Sequence, residues 1–400
     1  MRYAGDLTFN YFQPTRVVFG AGAIRDAGLE CKRLGMERAF VVTDKLLREK
    51  TDVVAQVEKA LGARVAAIFD EVEPDAPADV IDRAAAIGRE ARVDGIVSVG
   101  GGSSIDTAKG IAIVVSEAGR AGTGRSGSGG ISIRDFQGSQ RLSHKLVPHL
   151  AIPTTAGTGS EASMYAVVKD KIAHEKMHYA DDHLIPDGAI LDPAVTLGMP
   201  RWLTAATALD ALTHAIEGLQ SVQRNPLADA AALHAIRLVA EHLPAVLARP
   251  DDLVARGQLL VAAHLGGQAF NASGVGLVHA MAHVIGARHG VHHGTANAIC
   301  LPHVMRWNAD ELAPQLAAAA AALGVDTRGM SDDEAAKAAS DAVAKLVAAS
   351  GLPTRLRDAK VPESDFEALA EAALSDGAIV FNGKFAADRE IVLGLLRQAY

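Results

Sequence analysis

Short apolar strand patterns alternate with helical stretches through the first half of the chain. One strand pattern begins at Arg16, and the others cover residues 39–44, 65–70, 95–100, 149–153 and 189–193. Helical patterns lie between consecutive strands, over residues 50–61 and 78–91. This alternation predicts a parallel sheet with helices on its faces.

The strand patterns end near Met199, and Ala-rich helical periodicity continues from there to Tyr400. A chain of 400 residues is too long for one simple core, so two domains are expected. We put the boundary between Pro193 and Pro200, which gives an α/β domain over residues 1–195 and an all-helical domain over residues 196–400. Hydrophobic residues at 49% and charged residues at 22% are typical of a soluble globular protein.

Charge and cysteine usage exclude several classes of protein. The net charge of −8, without a basic block, argues against nucleic acid or an anionic membrane surface as a partner. The longest plain apolar run, residues 316–325, is shorter than the roughly 20 residues that span a bilayer. Residues 1–18 lack the apolar region of a signal peptide. Cys31 and Cys300 form no C-x-x-C motif, which excludes a thiolate metal site and fits a reducing, cytoplasmic location.

A glycine-rich turn follows the strand pattern at residues 95–100. It reads GGGSS at residues 100–104, and a helix starts there. Three glycines allow the backbone to approach a ligand closely, and Ser103 or Ser104 is expected to cap the helix, whose N–H groups then face an anion. We interpret the turn as a pyrophosphate cradle. The next strand also ends in small hydroxyl and glycine residues, over 154–161, where open α/β sheets bind ligands.

Seven of the fifteen histidines lie within residues 264–303. His279 and His283 are four residues apart on a predicted helix, and Asp210 and His214 have the same spacing on an earlier one. Each pair therefore lies on one helix face. The Asp/His pair is either a simple hydrogen bond or half of a metal site, and three imidazoles with one carboxylate would suit Fe²⁺ or Zn²⁺. Spacing alone leaves five candidates for the remaining ligands: His279, His283, His289, His292 and His293.

Five segments together resemble the iron-containing (group III) alcohol dehydrogenase family. They are residues 100–109, 152–161, 205–218, 276–283 and 293–303. The resemblance covers nearly the whole chain. Five long motifs in the same order are highly specific for the family. It implies an α/β N-terminal Rossmann-like nucleotide-binding domain, an all-α C-terminal domain and a cleft between them.

The resemblance also implies roles for individual residues. The metal ligands are matched by Asp210, His214, His279 and His293, and His283 matches a position assigned to proton transfer. The cofactor-binding positions are matched by Asp44, Gly101, Gly102, Ser103, Thr154, Thr155, Thr158 and Lys176. An acid at Asp44 would contact the adenosine ribose and repel a 2′-phosphate, so NAD is expected rather than NADP. A homodimer is expected, through residues 7–19.

The implied reaction is reversible hydride transfer between NAD and a small primary or secondary alcohol. Fe²⁺, or Zn²⁺ in its place, would polarise the substrate oxygen, and His283 would carry the proton. A lyase of the dehydroquinate-synthase type is an alternative that the Asp210/His214 pair disfavours, and a catalytically silent NAD- and metal-binding sensor is another. The Gly/Ser-rich segment 119–130 departs from the family pattern and is interpreted as a flexible surface loop or a lid over the cofactor.

Overall fold

The structure is a computed structural model, and it describes Tyr3 and residues 7–118, 131–173 and 175–400. The chain divides into two compact units. The α/β unit consists of Phe12–Thr155 and Ser160–Gly198, and the helical unit contains residues 7–11, Ala156–Gly159 and Met199–Tyr400. The Gly/Ser-rich segment 119–130, with its predicted loop or lid, lies outside the described residues.

Nine strands lie in the described part of the α/β unit. They are β1 (Arg16–Phe19), β2 (Ala39–Val42), β3 (Val65–Phe69), β4 (Gly95–Gly100), β5 (Gly138–Ser139), β6 (His149–Pro153), β7 (Tyr165–Asp170), β8 (Glu175–Ala180) and β9 (Gly188–Leu191). Six form one sheet in the order β1-β9-β6-β4-β2-β3, and every neighbouring pair is parallel. These six are the strands that the sequence predicts, so the parallel sheet is confirmed.

Helices cover both faces of this sheet. They are α1 (Ala27–Arg33), α2 (Lys45–Lys50), α3 (Val53–Leu61), α4 (Ala78–Glu90) and α5 (Gly102–Ala118). Successive strand residues point to opposite faces. Phe40 of β2 therefore packs in one hydrophobic core with Ile81 of α4, and its neighbour Val41 packs in the other with Val54 of α3.

The helix boundaries follow the sequence pattern with one correction. The helix expected over residues 78–91 is confirmed as α4. The helix expected over residues 50–61 is wrong at its start, because Lys50 ends α2 and α3 begins only at Val53. Asp44 caps α2 with its side chain, so the chain starts a helix there sooner than the apolar periodicity indicates.

A second, three-stranded sheet in this unit is absent from the sequence predictions. Its order is β5-β8-β7, and β7 pairs with β8 in antiparallel orientation. Buried Val168 and Tyr179 alternate in these strands with exposed Lys169 and His178. Strands with one exposed face lack the continuous apolar run that makes central parallel strands easy to recognise.

The described residues after Met199 form helices and no strand, which confirms the all-helical prediction. The helices are α6 (Arg201–Gln220), α7 (Pro226–Ala248), α8 (Leu253–Ser273), α9 (Leu277–His289), α10 (His293–Ala322), α11 (Asp332–Ser350), α12 (Phe366–Leu374) and α13 (Arg389–Gln398). Helix α6 is central, because it packs against α7, α8 and α10. Every residue from Thr204 to Gln220 is buried, so any charged group on α6 must find its partners inside the unit.

Helix α7 is the one described helix that is long and apolar enough to cross a membrane by length and composition, with a mean hydropathy of 1.3 in its most apolar stretch. It packs against α6 and α8 within the helical unit, and 44% of that stretch is buried. A core helix of a helical domain has the same properties, so α7 is weak support for a membrane segment.

Candidate metal centre

Asp210, His214 and Glu217 lie on one face of α6. Spacings of four and then three residues bring side chains to the same side of a helix. Their exposed fractions are 3%, 5% and 3%. Burying a charge costs several kcal/mol unless the charge is paired or binds a metal, so these acids require partners from other helices.

Helix α9 and the start of α10 provide the facing groups. Helix α9 carries His279 and His283 one turn apart and ends at His289, and the next residue, Gly290, caps it in the left-handed conformation with a φ of 67°. The chain then turns, and α10 begins at His293. The turn between the two groups of histidines is therefore made at Gly290.

Asp210, His279 and His293 converge on a common point. Each offers one ligand atom, and these atoms all lie within 4.8 Å of one another. Oδ1 of Asp210 is 3.9 Å from Nε2 of His279 and 3.5 Å from Nε2 of His293. These separations exceed ordinary hydrogen bonds. They are close to the roughly 3.4 Å between ligand atoms that each lie about 2.1 Å from a tetrahedral Zn²⁺.

Asn297 shows that the three ligand atoms face one position. It follows His293 by one turn of α10, and its Nδ2 lies 2.7 Å from Oδ1 of Asp210. The same nitrogen is 3.3 Å from Nε2 of His279 and 3.2 Å from Nε2 of His293. One polar nitrogen therefore lies within 3.3 Å of all three ligand atoms, which shows that they surround a common position.

His214 lies beside this group. Its Nε2 is 3.9 Å from Oδ1 of Asp210, and its ring stacks on that of His279 with 4.7 Å between centroids. At 3.9 Å the pair is not the simple Asp–His hydrogen bond that would give these residues a purely structural role. The buried Nδ1 of His214 has no hydrogen-bond partner among the described residues. His214 is not one of the three converging residues, and its role as a fourth ligand stays a prediction.

The donor set fits a first-row divalent ion. Carboxylate with imidazole suits Fe²⁺ and Zn²⁺, whereas Ca²⁺ and Mg²⁺ prefer oxygen. Burial lowers the pKa of His279 well below its ordinary value, so its imidazole is neutral, as ligation requires. Burial opposes the charge of Asp210, but the neighbouring His214 and His293 hold the pKa of this carboxyl below its ordinary value.

One side of the cluster is open. The side chains of Asp210 and His279 are 4% and 3% exposed, whereas that of His293 is 37% exposed. Structural metal sites are closed by protein ligands, while catalytic ones keep a position for substrate. The exposure of His293 is therefore what a catalytic site requires.

Glu217 contacts His279 through Nδ1, the ring nitrogen that does not belong to the converging set. Its Oε2 accepts a hydrogen bond from Nδ1 of His279 at 2.5 Å, and its Oε1 accepts one from the backbone N–H of Val278 at 2.6 Å. Burial raises the pKa of Glu217 to about 7, so the carboxylate is ionised on the alkaline side of neutrality. Metal-binding histidines commonly donate their second ring N–H to a carboxylate in this way.

His283 occupies the place next to the ligand atoms and is not one of them. Its ring stacks on that of His293 with centroids 5.3 Å apart, and it meets the ring of His279 edge-on at 5.8 Å. Its Nδ1 lies 2.9 Å from Oδ2 of Asp376. This position beside the cluster suits the predicted proton carrier.

The two remaining histidine candidates do not join the converging atoms. Nε2 of His289 lies 3.4 Å from a carboxylate oxygen of Asp365. His292 precedes α10 and packs edge-on against Trp202, with centroids 5.3 Å apart. The structure therefore reduces five candidate histidines to two within the converging set.

The glycine-rich turn of the α/β unit joins β4 to α5. Gly100 has a φ of 154°, and a Cβ there would stand 2.2 Å from Oγ of Ser104. A Cβ at Gly101 would stand 3.2 Å from Oγ1 of Thr155. A side chain is therefore excluded at the first position and crowded at the second, which leaves bare backbone at a helix N-terminus, where phosphate groups bind.

The predicted serine cap of α5 is wrong. The helix begins at Gly102, and the carbonyl of Gly101 accepts hydrogen bonds from the backbone N–H groups of Ser104 and Ile105. Ser103 is therefore inside the first turn, and its Oγ accepts a hydrogen bond from the backbone N–H of Asp75 at 3.2 Å. The close approach of Gly101 to Thr155 gives the capping position to a residue without a side chain.

Asp44 and Thr154 lie beside this turn. Oδ1 of Asp44 accepts a hydrogen bond from Leu47 N–H at 2.8 Å, while its Oδ2 faces Gly100, 3.8 Å from where a Cβ would stand. The backbone N–H of Thr154 donates to the carbonyl of Gly100 at 3.0 Å. The α/β unit thus brings an acid and two strand ends to the glycine turn, the arrangement expected of a dinucleotide site.

Lys176 and Thr158 are two further predicted cofactor residues. Lys176 is on β8, where its Nζ is 3.7 Å from a carboxylate oxygen of Asp75. Thr158 lies within residues 156–159, which belong to the helical unit. This segment packs closely against α8, because a Cβ at Gly159 would stand 2.5 Å from Cα of Gly267. Their roles toward the cofactor stay predictions.

Three residues of the metal centre had no role assigned from sequence. Glu217 and Asn297 could have been found, because Glu217 follows Asp210 by seven residues and Asn297 follows His293 by four, both helical spacings. Asp376 is 93 residues from its partner His283, and no local pattern marks such a contact.

Two family models together match most of the chain. The model described as "Iron-containing alcohol dehydrogenase" matches residues 14–193, and the one described as "Fe-containing alcohol dehydrogenase family, C-terminal" matches residues 204–400. The two matches meet close to the boundary between the α/β and helical units.

Individual relatives are similar along their whole length. A 1,3-propanediol dehydrogenase of Citrobacter freundii is 39% identical over 398 residues, which is 98% of this chain and 99% of that protein. An NAD-dependent methanol dehydrogenase of Bacillus methanolicus is 36% identical over 385 residues, 96% of this chain and 97% of that protein. A solved structure of 1,3-propanediol oxidoreductase is 37% identical with a TM-score of 0.92, and the match covers 98% of this chain and 100% of that one. The chain belongs to the iron-containing alcohol dehydrogenase family, and is thus an oxidoreductase.

Proposed function

We propose that this protein catalyses the reversible oxidation of a small primary or secondary alcohol to its aldehyde or ketone, with NAD as the hydride acceptor. One observation carries the proposal: Asp210, His279 and His293 converge on one point, and the imidazole of His283 lies beside it. A buried donor set with one open side and an adjacent proton acceptor suits metal-assisted alcohol oxidation.

The chain's own residues would bind the ion and move the proton. A divalent ion held by these three residues, with His214 as the proposed fourth ligand, supplies the Lewis acidity that makes the alcohol proton easier to remove. His283 takes that proton on Nε2, because its Nδ1 proton is already donated to Asp376 at 2.9 Å. The stacking of His283 on His293 keeps this nitrogen close to the cluster.

The cofactor proposal rests on the α/β unit. The pyrophosphate of NAD would lie on the turn of Gly101, Gly102 and Ser103 at the start of α5, and Asp44 would accept a hydrogen bond from the adenosine ribose. An acid at that position disfavours the 2′-phosphate of NADP. The proposed residues on the nicotinamide side are Thr154, Thr155, Thr158 and Lys176.

We propose Fe²⁺ as the metal, since the family is iron-containing, and Zn²⁺ as the alternative. One carboxylate with two or three imidazoles accepts either ion. Residues 1–195 would then form the dinucleotide-binding domain and residues 196–400 the metal-binding catalytic domain.

We also propose a cytoplasmic homodimer without nucleic-acid or membrane partners. Phe12 and Phe19 of the α/β unit are 51% and 50% exposed, and β1, which contains Phe19, lies at the edge of the parallel sheet. Exposed aromatic residues beside an unpaired strand edge favour association with a second copy. The two free cysteines are buried, which suits a reducing compartment. Sedimentation of the wild type and of a Phe19→Ser variant tests the dimer.

A substrate panel tests the proposed reaction. Metal-free protein is restored with Fe²⁺ or with Zn²⁺ and assayed by NADH absorbance against short primary alcohols, small diols, lactaldehyde-like compounds and 4-hydroxybutyrate. Net NADH formation that depends on the metal supports the proposal. Tight NAD binding without turnover of any compound would favour a sensor, and turnover of a sugar acid without net NADH would favour a lyase.

A further inference from the structure

We propose that Glu217 is a positioning residue of the metal centre, which holds His279 in the tautomer that presents the Nε2 lone pair to the cation. This inference rests on the proposed function, since it assigns Glu217 a role toward the metal. It concerns a residue that does not itself face the converging ligand atoms.

Both carboxylate oxygens of Glu217 accept hydrogen bonds. Oε2 accepts from Nδ1 of His279 at 2.5 Å, and Oε1 accepts from the backbone N–H of Val278 at 2.6 Å. A carboxylate has no proton to donate, so the ring proton of neutral His279 must be on Nδ1. The remaining lone pair is then on Nε2, which is the atom that lies 3.3 Å from Nδ2 of Asn297 and 3.9 Å from Oδ1 of Asp210.

Glu217 also links the two helices that carry ligands. It belongs to α6 with Asp210, while Val278 and His279 are in the first turn of α9, where backbone N–H groups lack partners within the helix. Glu217 is 3% exposed, so its carboxylate, rather than water, satisfies these donors. A Cβ at Gly276 would stand 3.2 Å from Oε1, so the carboxylate is closely enclosed.

Glu217→Gln separates this role from simple helix capping. The N–H of Val278 needs an acceptor, so the amide oxygen of the new Gln faces Val278 and its NH₂ group faces Nδ1 of His279. An NH₂ group donates, which forces the ring proton of His279 onto Nε2 and removes the ligand lone pair. The size and shape of the side chain hardly change, so packing is preserved.

Zn²⁺ affinity is the first measurement. Full-length, metal-free protein at pH 8.5 is titrated with Zn²⁺ in competition with a chromogenic chelator. We expect Glu217→Gln to bind Zn²⁺ about 10- to 100-fold more weakly than the wild type. Asn225→Ala is the matched control, because it removes the side-chain cap of α7 in the same unit, and it should bind Zn²⁺ as the wild type does. Equal Zn²⁺ affinity in Glu217→Gln and the wild type would overturn the proposal.

The ring tautomer is the second measurement, and it needs no metal. Ring nitrogen spectra of metal-free protein labelled with ¹⁵N-histidine, with the His279 signals assigned by loss in His279→Gln, should show the proton on Nδ1 in the wild type and on Nε2 in Glu217→Gln. An unchanged tautomer would overturn the proposal, even if Glu217→Gln lowers thermal stability as any lost cap does. Failure of the wild type to bind Zn²⁺ or Fe²⁺ would instead contradict the proposed function, and the tautomer would still decide the role of Glu217.

Discussion

Nδ1 of His283 and Oδ2 of Asp376 lie 2.9 Å apart, although 93 residues separate them in the chain. The other oxygen of Asp376 accepts a hydrogen bond from the backbone N–H of Ala378, also at 2.9 Å. Asp376 is therefore an acceptor on both sides and holds His283 with its proton on Nδ1. The lone pair on Nε2 is what a general base uses to take the proton of an alcohol.

Asp376→Asn should lower the kcat of alcohol oxidation by about 100- to 10,000-fold, the usual contribution of general acid–base catalysis. In the variant, the amide oxygen of Asn keeps the hydrogen bond from the backbone N–H of Ala378. The NH₂ group then faces His283 and forces the ring proton of His283 onto Nε2. Steady-state kinetics with metal analysis of the same samples checks this, and the metal content should not change. Asp365→Asn is the control, because Asp365 pairs with Arg288 near the end of α9. Equal kcat in Asp376→Asn and the wild type would remove His283 from the mechanism as a base.

Asp210→Asn should abolish metal binding and turnover together. Asp210 contributes the carboxylate of the converging set, and its loss leaves only neutral imidazoles to hold a divalent ion. We expect affinity to fall by more than the roughly 100-fold upper limit for an outer partner of a metal site. Metal content after dialysis and NADH formation are the readouts. Asp229→Asn changes another buried acid of the helical unit, one that pairs with Arg224, and controls for damage to the fold. Full turnover by Asp210→Asn would contradict metal catalysis.

The parallel sheet could be predicted from sequence because its central strands are buried on both faces. All six residues of β4 are buried, and its sequence, GIVSVG, has no charged residue and no alternation of polar and apolar residues. The excursion of residues 156–159 into the helical unit could not be predicted. It depends on the close approach of Gly159 to Gly267, more than 100 positions later, and no local pattern encodes that contact.

The candidate site was predictable where helix spacing reveals it. Asp210 with His214 and His279 with His283 are pairs of helix neighbours, and their apolar surroundings mark them as unusual. The choice among the five candidate histidines was not available from spacing, because it depends on how α6, α9 and α10 pack. His289 and His292 are as close in sequence to the cluster as His293, yet their rings contact Asp365 and Trp202.

Asp44→Ser should shift the cofactor preference toward NADP. Ser is a good helix cap, so the hydrogen bond from Leu47 N–H that starts α2 is kept, while the negative charge facing Gly100 is lost. We expect the ratio of kcat/KM for NADP to that for NAD to rise roughly tenfold, which corresponds to about 1.4 kcal/mol. Asp52→Ser removes the acid that precedes α3, which makes no side-chain cap bond, and should leave the ratio unchanged. An unchanged ratio in Asp44→Ser would place the adenosine ribose elsewhere.

The stability of the α/β unit should fall with acidification because of His149. Burial, and then the ammonium of Lys109, lower the pKa of His149 to about 3 from an ordinary 6.5. Well above pH 6.5 the ring is neutral in both the folded and unfolded chain and adds no pH dependence. Between pH 6.5 and about 3, His149 binds a proton in the unfolded chain but not in the folded chain. The free energy of unfolding should therefore fall by about 1.4 kcal/mol per pH unit from this residue alone.

Urea unfolding from pH 6 to pH 5, where the imidazole of the unfolded chain is mostly protonated, followed by circular dichroism, measures that slope. His149→Gln removes the proton-binding group. The slope of the free energy of unfolding against pH should then fall by about 1.4 kcal/mol per pH unit, the value for one proton. Its stability at pH 7 is a separate quantity, since the variant also alters the hydrogen bond between Nε2 of His149 and Oγ of Ser98. Ser98→Ala is the matched control, because it removes the same hydrogen bond and keeps the imidazole, so its slope should equal that of the wild type. Identical slopes in His149→Gln and the wild type would mean that His149 does not drive the acid sensitivity of this unit.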